Sequence, residues 1–255
     1  MADIHQLENK MRSLKLNGML DTLELRLTQA QKDGLGFTQF LELLLEDEVQ
    51  CRANKRLTGR ITKARFEEAK SLEEFNFHFN PKVPTQYIHD LATCRFIERK
   101  ESIIFCGPVG VGKTHLAQAL GHQACRLGYS VLFSKASRLL SDLGGGRADG
   151  TWEKRLRRYL KPDLLILDDF AMKELTKFQA EDFYELIDQR YRSGSMIVTA
   201  NRSPEDWYPL FPNPVIAESA LDRLVSCSHV ITLTGKSYRA LLRPDKALEK
   251  EVVTV

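Results

Sequence analysis

Apolar positions near the start of the chain recur at helical spacing. Leu7, Met11 and Leu14 form one set, and Leu20, Leu23 and Leu27 a second, as one face of a 3.6-residue repeat requires. Gly34-Leu35-Gly36 breaks the pattern, and Thr38 stands as N-cap for the next helix. Its apolar stripe is Phe40, Leu41, Leu44, Leu45 and Val49. A further helix is expected over much of Arg52 to Lys70, despite Gly59. Ser71 and Glu74 have the spacing of a capping box, yet the run Phe75-Asn76-Phe77-His78-Phe79-Asn80-Pro81 ends any helix soon afterwards. That run reads as an extended segment or hinge whose aromatics dock on the second domain.

Beyond residue 100 the pattern changes. Ser102–Cys106, Ser130–Phe133, Leu164–Leu167, Ser195–Ala200 and Val230–Leu233 are short apolar runs. Between them lie helical stretches over about Thr114–Leu127, Ser137–Leu160 and Lys177–Ser193, with Gly128 and Gly194 as stops. Fully apolar strands separated by helices predict a parallel sheet covered on both faces. The expected organisation is a small all-helical domain over 1–71, a linker over 72–100 and an α/β domain over 101–255.

Composition narrows the class. Of 255 residues, 43% are hydrophobic and 28% charged, which suits a globular protein with a real core. No apolar run reaches the roughly 18 residues of a membrane helix, and the polar start Met1-Ala2-Asp3-Ile4-His5 lacks the apolar centre of a secretory leader. Cys51, Cys94, Cys106, Cys125 and Cys227 are scattered and form no C-x-x-C pair, so reduced thiols and a cytoplasmic location without membrane partners are expected.

Gly107-Pro108-Val109-Gly110-Val111-Gly112-Lys113-Thr114 matches the phosphate-binding loop G-x-x-x-x-G-K-[ST] in full. It follows an apolar strand and precedes a helix, the context in which loop N–H groups and a helix N-terminus cradle a triphosphate. Lys113 is placed to reach the β- and γ-phosphates, and the Thr114 hydroxyl to ligate Mg2+. The expected ligands are therefore ATP and Mg2+. Leu164-Leu165-Ile166-Leu167-Asp168-Asp169 brings two carboxylates out at the C-terminal end of a buried strand, where α/β sheets bind ligands. Asp168 is assigned to the Mg2+ shell and Asp169 to activating water. Asn201, at the end of Met196–Ala200, either holds that water or caps the turn into Ser203-Pro204. Arg223 is either an arginine finger acting on a neighbour's ATP or an ion pair with Asp222 or Glu218.

The net charge of +3 says little, but basic residues cluster twice. Arg52, Arg56, Arg60 and Lys63 fall on one face of a continuous helix, flanked by Lys55 and Arg65, and no acid lies between Cys51 and Phe66. Such a stripe suits a duplex backbone, which makes the helical domain a candidate DNA-binding domain. The second cluster comprises Lys154, Arg155, Arg157, Arg158 and Lys161, and either lines a DNA channel or meets a neighbouring subunit. Trp152 is expected to pack rather than stack on a base.

These elements in this order resemble the AAA+ superfamily, within it the clade of DnaA and DnaC, and more narrowly the IstB family of insertion-sequence helper ATPases. The narrower resemblance rests on Phe40-Leu41-Glu42-Leu43-Leu44-Leu45-Glu46-Asp47-Glu48, the basic run after it and Leu72-Glu73-Glu74-Phe75-Asn76-Phe77. It continues through the phosphate loop, Leu164 to Phe170, Val198 to Asn201, Asp222-Arg223-Leu224 and Ser237-Tyr238-Arg239. The resemblance implies an ATPase that binds duplex DNA with little sequence preference, self-assembles with ATP and helps a DDE transposase choose or prepare target DNA. It implies Walker A roles for Lys113 and Thr114, Walker B roles for Asp168 and Asp169, a sensor role for Asn201 and a finger role for Arg223. A DnaC-like helicase loader is the alternative, separable through the N-terminal region. Few residues follow Gly235, so the helical lid that carries a sensor 2 arginine in many AAA+ proteins is expected to be absent or much reduced, with Lys236 or Arg239 standing in for that arginine.

Overall fold

The structure, a computed structural model, describes residues 4–80 and 83–242; Pro81 and the segment 243–255, which bears on the lid expectation, lie outside the described residues. Internal contacts divide the chain into two compact units, Met1–Gly59 and Arg60–Val255.

The first unit is helical. Helix α1 spans Ile4–Ser13, α2 spans Asn17–Asp33, and α3 spans Phe37–Ala64, its residues up to Gly59 belonging here. Met11, Met19, Leu23 and Leu44 form its core, with Phe40, Leu16, Leu20 and Leu27 packed against them. The expected stripe of α3 splits: Leu41, Leu45 and Val49 stay half-exposed or more. Helix α3 starts one residue ahead of Thr38, and the Gln39 Oε1 accepts the Gly36 N–H at 3.1 Å instead of a threonine cap. Gly59 does not interrupt it, so the two helices expected over 38–70 are one. It stops where Arg65 adopts a φ of 60°.

Leu16, at the N-cap of α2, supplies no side-chain acceptor. Glu48 of α3 takes that role, its Oε2 accepting the N–H groups of Gly18 at 2.6 Å and Met19 at 3.2 Å. Gly18 makes this approach possible, because a Cβ there would lie 2.6 Å from the Asp47 carbonyl oxygen. Beside it the Asp47 carboxylate accepts from Arg26 Nε and Nη2, both at 2.8 Å, and from the Thr22 hydroxyl at 2.7 Å.

The second unit carries the sheet. Strands β1 (Ser102–Cys106), β2 (Val131–Lys135), β3 (Leu164–Phe170), β4 (Ser195–Ala200) and β5 (Ser228–Thr232) pair in parallel in the order β2-β3-β4-β1-β5. Before the sheet come α4 (Thr85–Leu91) and α5 (Arg95–Glu98). Between and after its strands come α6 (Lys113–Arg126), α7 (Ala136–Asp149), α8 (Trp152–Leu160), α9 (Lys177–Arg190) and α10 (Pro214–Ser226). Leu165, Leu167, Met196 and Val198 pack with buried residues of α7, α9 and α10 in one cluster. Alternation turns Ile166 to the opposite face, where α6 comes close enough that a Cβ on Gly121 would lie 2.6 Å from Ile166 Cδ1. Helices thus cover both faces.

Several elements depart from expectation. The stretch 137–160 breaks into α7 and α8 at Gly150, which has a φ of 71°. Strand β3 runs three residues past Leu167 and takes the acidic pair into the sheet. Helix α10 lacks any strong signal in the linear pattern, being started by Asn213, whose side chain accepts the Val215 N–H at 2.9 Å. The segment 72–100, expected as a linker, holds α4 and α5, whose Ile88, Leu91, Phe96 and Ile97 are buried. By packing, the second unit begins at Arg60. Phe66 stacks on His122 at 4.0 Å between ring centres, and the Gln118 Oε1 accepts the N–H groups of Glu67 and Glu68 at 3.1 and 3.0 Å. Ser71 and Glu74 do bond reciprocally, at 3.2 and 3.4 Å, but they close a turn rather than open a helix.

Candidate functional site

Strand β1 is buried along its whole length and delivers the chain at Cys106 into the loop Gly107–Thr114. The three loop glycines adopt φ values of 137°, 82° and 102° at Gly107, Gly110 and Gly112, conformations side chains resist. Helix α6 then starts at Lys113 with no side-chain cap, so its first N–H groups remain available to an anion. Lys113 is buried, and its Nζ donates to the carbonyls of Gly107 and Pro108, each at 2.8 Å. Burial lowers its pKa from the ordinary lysine value, opposed by the nearby Asp169 and Asp168 carboxylates.

The acidic pair sits at a break in the sheet ladder. Leu167 pairs with Val198, and the next pairing is Phe170 with Ala200. Asp168 and Asp169 therefore stand opposite the single residue Thr199, a β-bulge of two residues against one. Asp169 takes a φ of 56°, uncommon for a residue with a side chain. The Asp168 Oδ1 accepts the Thr114 hydroxyl at 2.8 Å and the Thr199 hydroxyl at 2.6 Å. Burial raises the Asp168 pKa above the ordinary carboxylate value, and the two hydroxyl bonds oppose that rise. An inward carboxylate held by hydroxyls beside an open helix N-terminus has the donor chemistry of a Mg2+–triphosphate site, with Thr114 and Asp168 as the residues that would hold the cation.

A cleft of about 690 Å³ opens over this arrangement, lined by the loop from Val109 to Thr114 together with Asp169 and Asn201. Its other wall adds residues that the motifs do not mark as part of the site, apart from Arg239, expected as a sensor residue. Phe75, Phe79 and Asn80 line it from the segment before the sheet, and Tyr238 and Arg239 from the segment after β5. Phe75 lies beneath Gly112, whose added Cβ would come within 2.5 Å of the ring. The ring is held by His115 at 5.3 Å and Phe77 at 4.7 Å between centres. Phe79 meets Tyr238 edge to face at 5.1 Å, the Tyr238 N–H donates to the Gly110 carbonyl at 2.9 Å, and Asn80 bonds the backbone of Lys236 in both directions. The aromatic run thus docks on the loop and on the strap that follows the last strand.

The remaining candidates fall unevenly. Asn201 lines the cleft, and its Nδ2 lies 3.1 Å from the Met172 sulfur. Arg223 is not among the residues lining the cleft. Its guanidinium pairs with Asp188 of α9 at 3.1 Å, rather than with Asp222 or Glu218, and donates to the Ser219 carbonyl at 2.7 Å. On α3, Lys55 and Arg56 are exposed, but Arg52 has an acid one turn back, Glu48 at 2.6 Å. Lys63 is exposed, whereas Arg60 is half-buried and donates to the Cys125 carbonyl at 2.8 Å, near the end of α6. Arg155 is turned inward, bonded to Asp142, Asp149 and Thr151, and so departs from a DNA-facing role. Arg158 pairs with Asp142 at 3.4 Å and lies over the Tyr159 ring, while Lys154 is exposed. Trp152 packs, its indole N–H donating to the buried Asp182 at 2.7 Å.

Comparison with known proteins agrees with this geometry. Residues 9–245 match the model of the IstB-like ATP binding protein family. A putative ATP-binding protein in an insertion sequence of Mycobacterium tuberculosis is 52% identical over 241 residues, 94% of this chain and 96% of that protein. The putative ATP-binding protein of insertion sequence IS21 from Pseudomonas aeruginosa is 35% identical, over 92% of this chain and 89% of that one. Among solved structures, AMPPCP-bound DnaA from Aquifex aeolicus superposes with a TM-score of 0.56 at 20% identity, over 74% of this chain but only 56% of the DnaA chain. The DnaC helicase loader superposes with a TM-score of 0.54 at 21% identity, over 67% of this chain and 97% of that one. At such identities the superpositions show the fold alone, shared with DnaA and the DnaC loader. The sequence matches go further: this chain belongs to the IstB-like family of insertion-sequence ATP-binding proteins.

Proposed function

We propose that this protein is a Mg2+-dependent ATPase that assembles on duplex DNA when ATP is bound and helps a DDE transposase of the same element select target DNA. The observation that carries the hydrolytic part is the contact of Thr114 with the buried Asp168 at 2.8 Å, beneath a cleft that Thr114, Asp169 and Asn201 line. Thr114 and Asp168 would hold Mg2+, which supplies charge neutralisation on the transferring phosphoryl group. Loop N–H groups and Lys113 bind the phosphates. Asp169 orients and deprotonates the attacking water, and Asn201 steadies that water or reads the γ-phosphate. Arg223, away from the cleft of its own chain, serves a neighbour's nucleotide, exchanging Asp188 for a phosphate.

The insertion-sequence context of the relatives supports the transposition role, and exposed Lys55 and Arg56, with Arg52 beside them, supply a phosphate-binding face on the first unit. The test is ATP turnover with and without Mg2+ and duplex DNA, followed alongside assembly size. Mg2+-dependent turnover with nucleotide-dependent assembly on duplex DNA is the expected result. Binding confined to single strands would replace this reading with that of a helicase loader, and an absence of turnover would leave a nucleotide-dependent scaffold.

A further inference from the structure

We infer that Thr199 is a positioning residue for the acidic pair. The inference rests on the ATPase reading for its kinetic consequence, but its structural content stands apart. In the ladder between β3 and β4, two residues on one side face one on the other, so a main-chain bond is missing at the point where Asp168 and Asp169 leave the sheet. The Thr199 side chain fills that gap. Its hydroxyl accepts the Asp169 N–H at 3.0 Å and donates to the Asp168 Oδ1 at 2.6 Å.

A hydroxyl has one donor and two acceptor sites, so one group satisfies both bonds at once, with a polarity that matters. Donation to Asp168 favours its ionised form. Acceptance from the Asp169 N–H holds that residue in the left-handed conformation, φ 56°, which aims its side chain at the cleft it lines. Thr199 itself is fully buried and does not line the cleft, so it acts through its neighbours. Because the Asp168 oxygen it bonds also accepts from Thr114, one threonine links the carboxylate facing the loop to the carboxylate that lines the cleft.

The test compares Thr199→Val, which keeps the shape and removes the hydroxyl, with Thr199→Ser, which keeps the hydroxyl. Three readouts are taken on the full chain: affinity for a fluorescent ATP analogue, steady-state ATP turnover with Mg2+, and hydrogen exchange at the Asp169 amide by NMR. Thr199→Val is expected to hold analogue affinity within about threefold, lower kcat roughly 10- to 100-fold and speed exchange at the Asp169 amide at least about tenfold. Thr199→Ser should restore both kcat and protection. In the background of Asp169→Asn, Thr199→Val should cost little further, since both changes act through one group. The inference is overturned if Thr199→Val turns over like the parent, if Thr199→Ser is as slow as Thr199→Val, or if Asp169 amide exchange is unchanged. Should the parent itself show no turnover, the ATPase reading fails, while the exchange measurement still decides whether Thr199 holds Asp169.

Discussion

Replacing Gly112 by alanine tests whether the phosphate loop depends on the ring beneath it. Two costs follow from the structure. Alanine at a φ of 102° is strained by about 1–3 kcal/mol. The added Cβ would also lie 2.5 Å from Phe75 Cε2 and 3.0 Å from Cζ, far inside the roughly 3.5–4.0 Å of an ordinary carbon contact. Overpacking of that kind costs about 1–3 kcal/mol, and Phe75 is poorly placed to yield because His115 and Phe77 flank it. Together the terms come to about 2–6 kcal/mol against the closed loop. If only the closed loop binds phosphate, the apparent ATP affinity falls by the same factor, roughly 30-fold at the lower end. Titration of a fluorescent ATP analogue measures it, with thermal unfolding as a check that the sheet is intact. Phe75→Ala in the same chain removes the clash but not the strain, so the double variant should recover about 1–3 kcal/mol relative to the sum of the single changes. The reasoning fails if Gly112→Ala binds ATP within about threefold of the parent, or if the two substitutions are additive.

Other outcomes follow from the same geometry. Asp169→Asn keeps the loop, Lys113 and the Thr114–Asp168 contact, so it should bind ATP normally and lose about 10²–10⁴-fold in turnover, accumulating the assembled form in sizing experiments. Replacing Arg52, Lys55 and Arg56 by alanine removes up to three phosphate contacts, and the slope of log K against log salt for duplex binding should flatten by about 2–3; an unchanged slope would exclude this face. Asp47 has its pKa lowered from 3.8 to about 2, chiefly by the hydrogen bond from Arg26 and then by that from Thr22. A carboxylate depressed in the folded state stabilises the fold above its ordinary pKa, and that contribution is lost as pH falls from near 4 toward about 2. The pair is partly solvent-exposed, which reduces its worth to on the order of 1 kcal/mol, so Asp47→Asn should lower helicity at neutral pH and shrink the parent's further loss through that acid window, both read by circular dichroism.

The parts of this molecule that were legible in its sequence are those written in consecutive residues. The phosphate loop declares itself because its mechanism needs glycines, a lysine and a hydroxyl at fixed spacing along one turn. Asp168 and Asp169 are legible because an apolar run before them can only be a buried strand. The core strands β1 and β4 are found at their observed limits for the same reason. What the sequence could not show are pairings across the fold. Arg60 reads as a DNA contact from its place on a basic stripe, yet its acceptor is a carbonyl 65 residues away. Arg155 reads the same way, yet its acceptors are Asp142, Asp149 and Thr151, on α7 and at the turn into α8. The α3 stripe splits because helical spacing identifies an apolar face but not how wide a face its neighbours cover, and α1 and α2 reach only Phe40 and Leu44.

The second wall of the cleft shows the same limit more sharply. Phe75 and Phe79 stand about 30 residues ahead of the loop they face, and Tyr238 and Arg239 more than 120 residues after it. The linear signal of Phe75 and Phe79 is negative: an aromatic run in a segment with neither helical nor strand periodicity, which a folded chain keeps only if the rings are buried elsewhere, while Tyr238 and Arg239 are marked only by the family resemblance of Ser237-Tyr238-Arg239. That reasoning predicts docking but not a destination. The destination follows from the loop itself. Glycines at Gly110 and Gly112 leave bare backbone on the outer side of the turn as well as toward the phosphates, and a Cβ at either place would collide, with Ser237 at Gly110 and with Phe75 at Gly112. The residues that free the loop to wrap an anion are therefore the ones that let the two flanking segments close over it. In this chain the second wall of the cleft is built from outside the sheet, and a substitution in either segment is expected to act on a bound nucleotide through the loop's backbone.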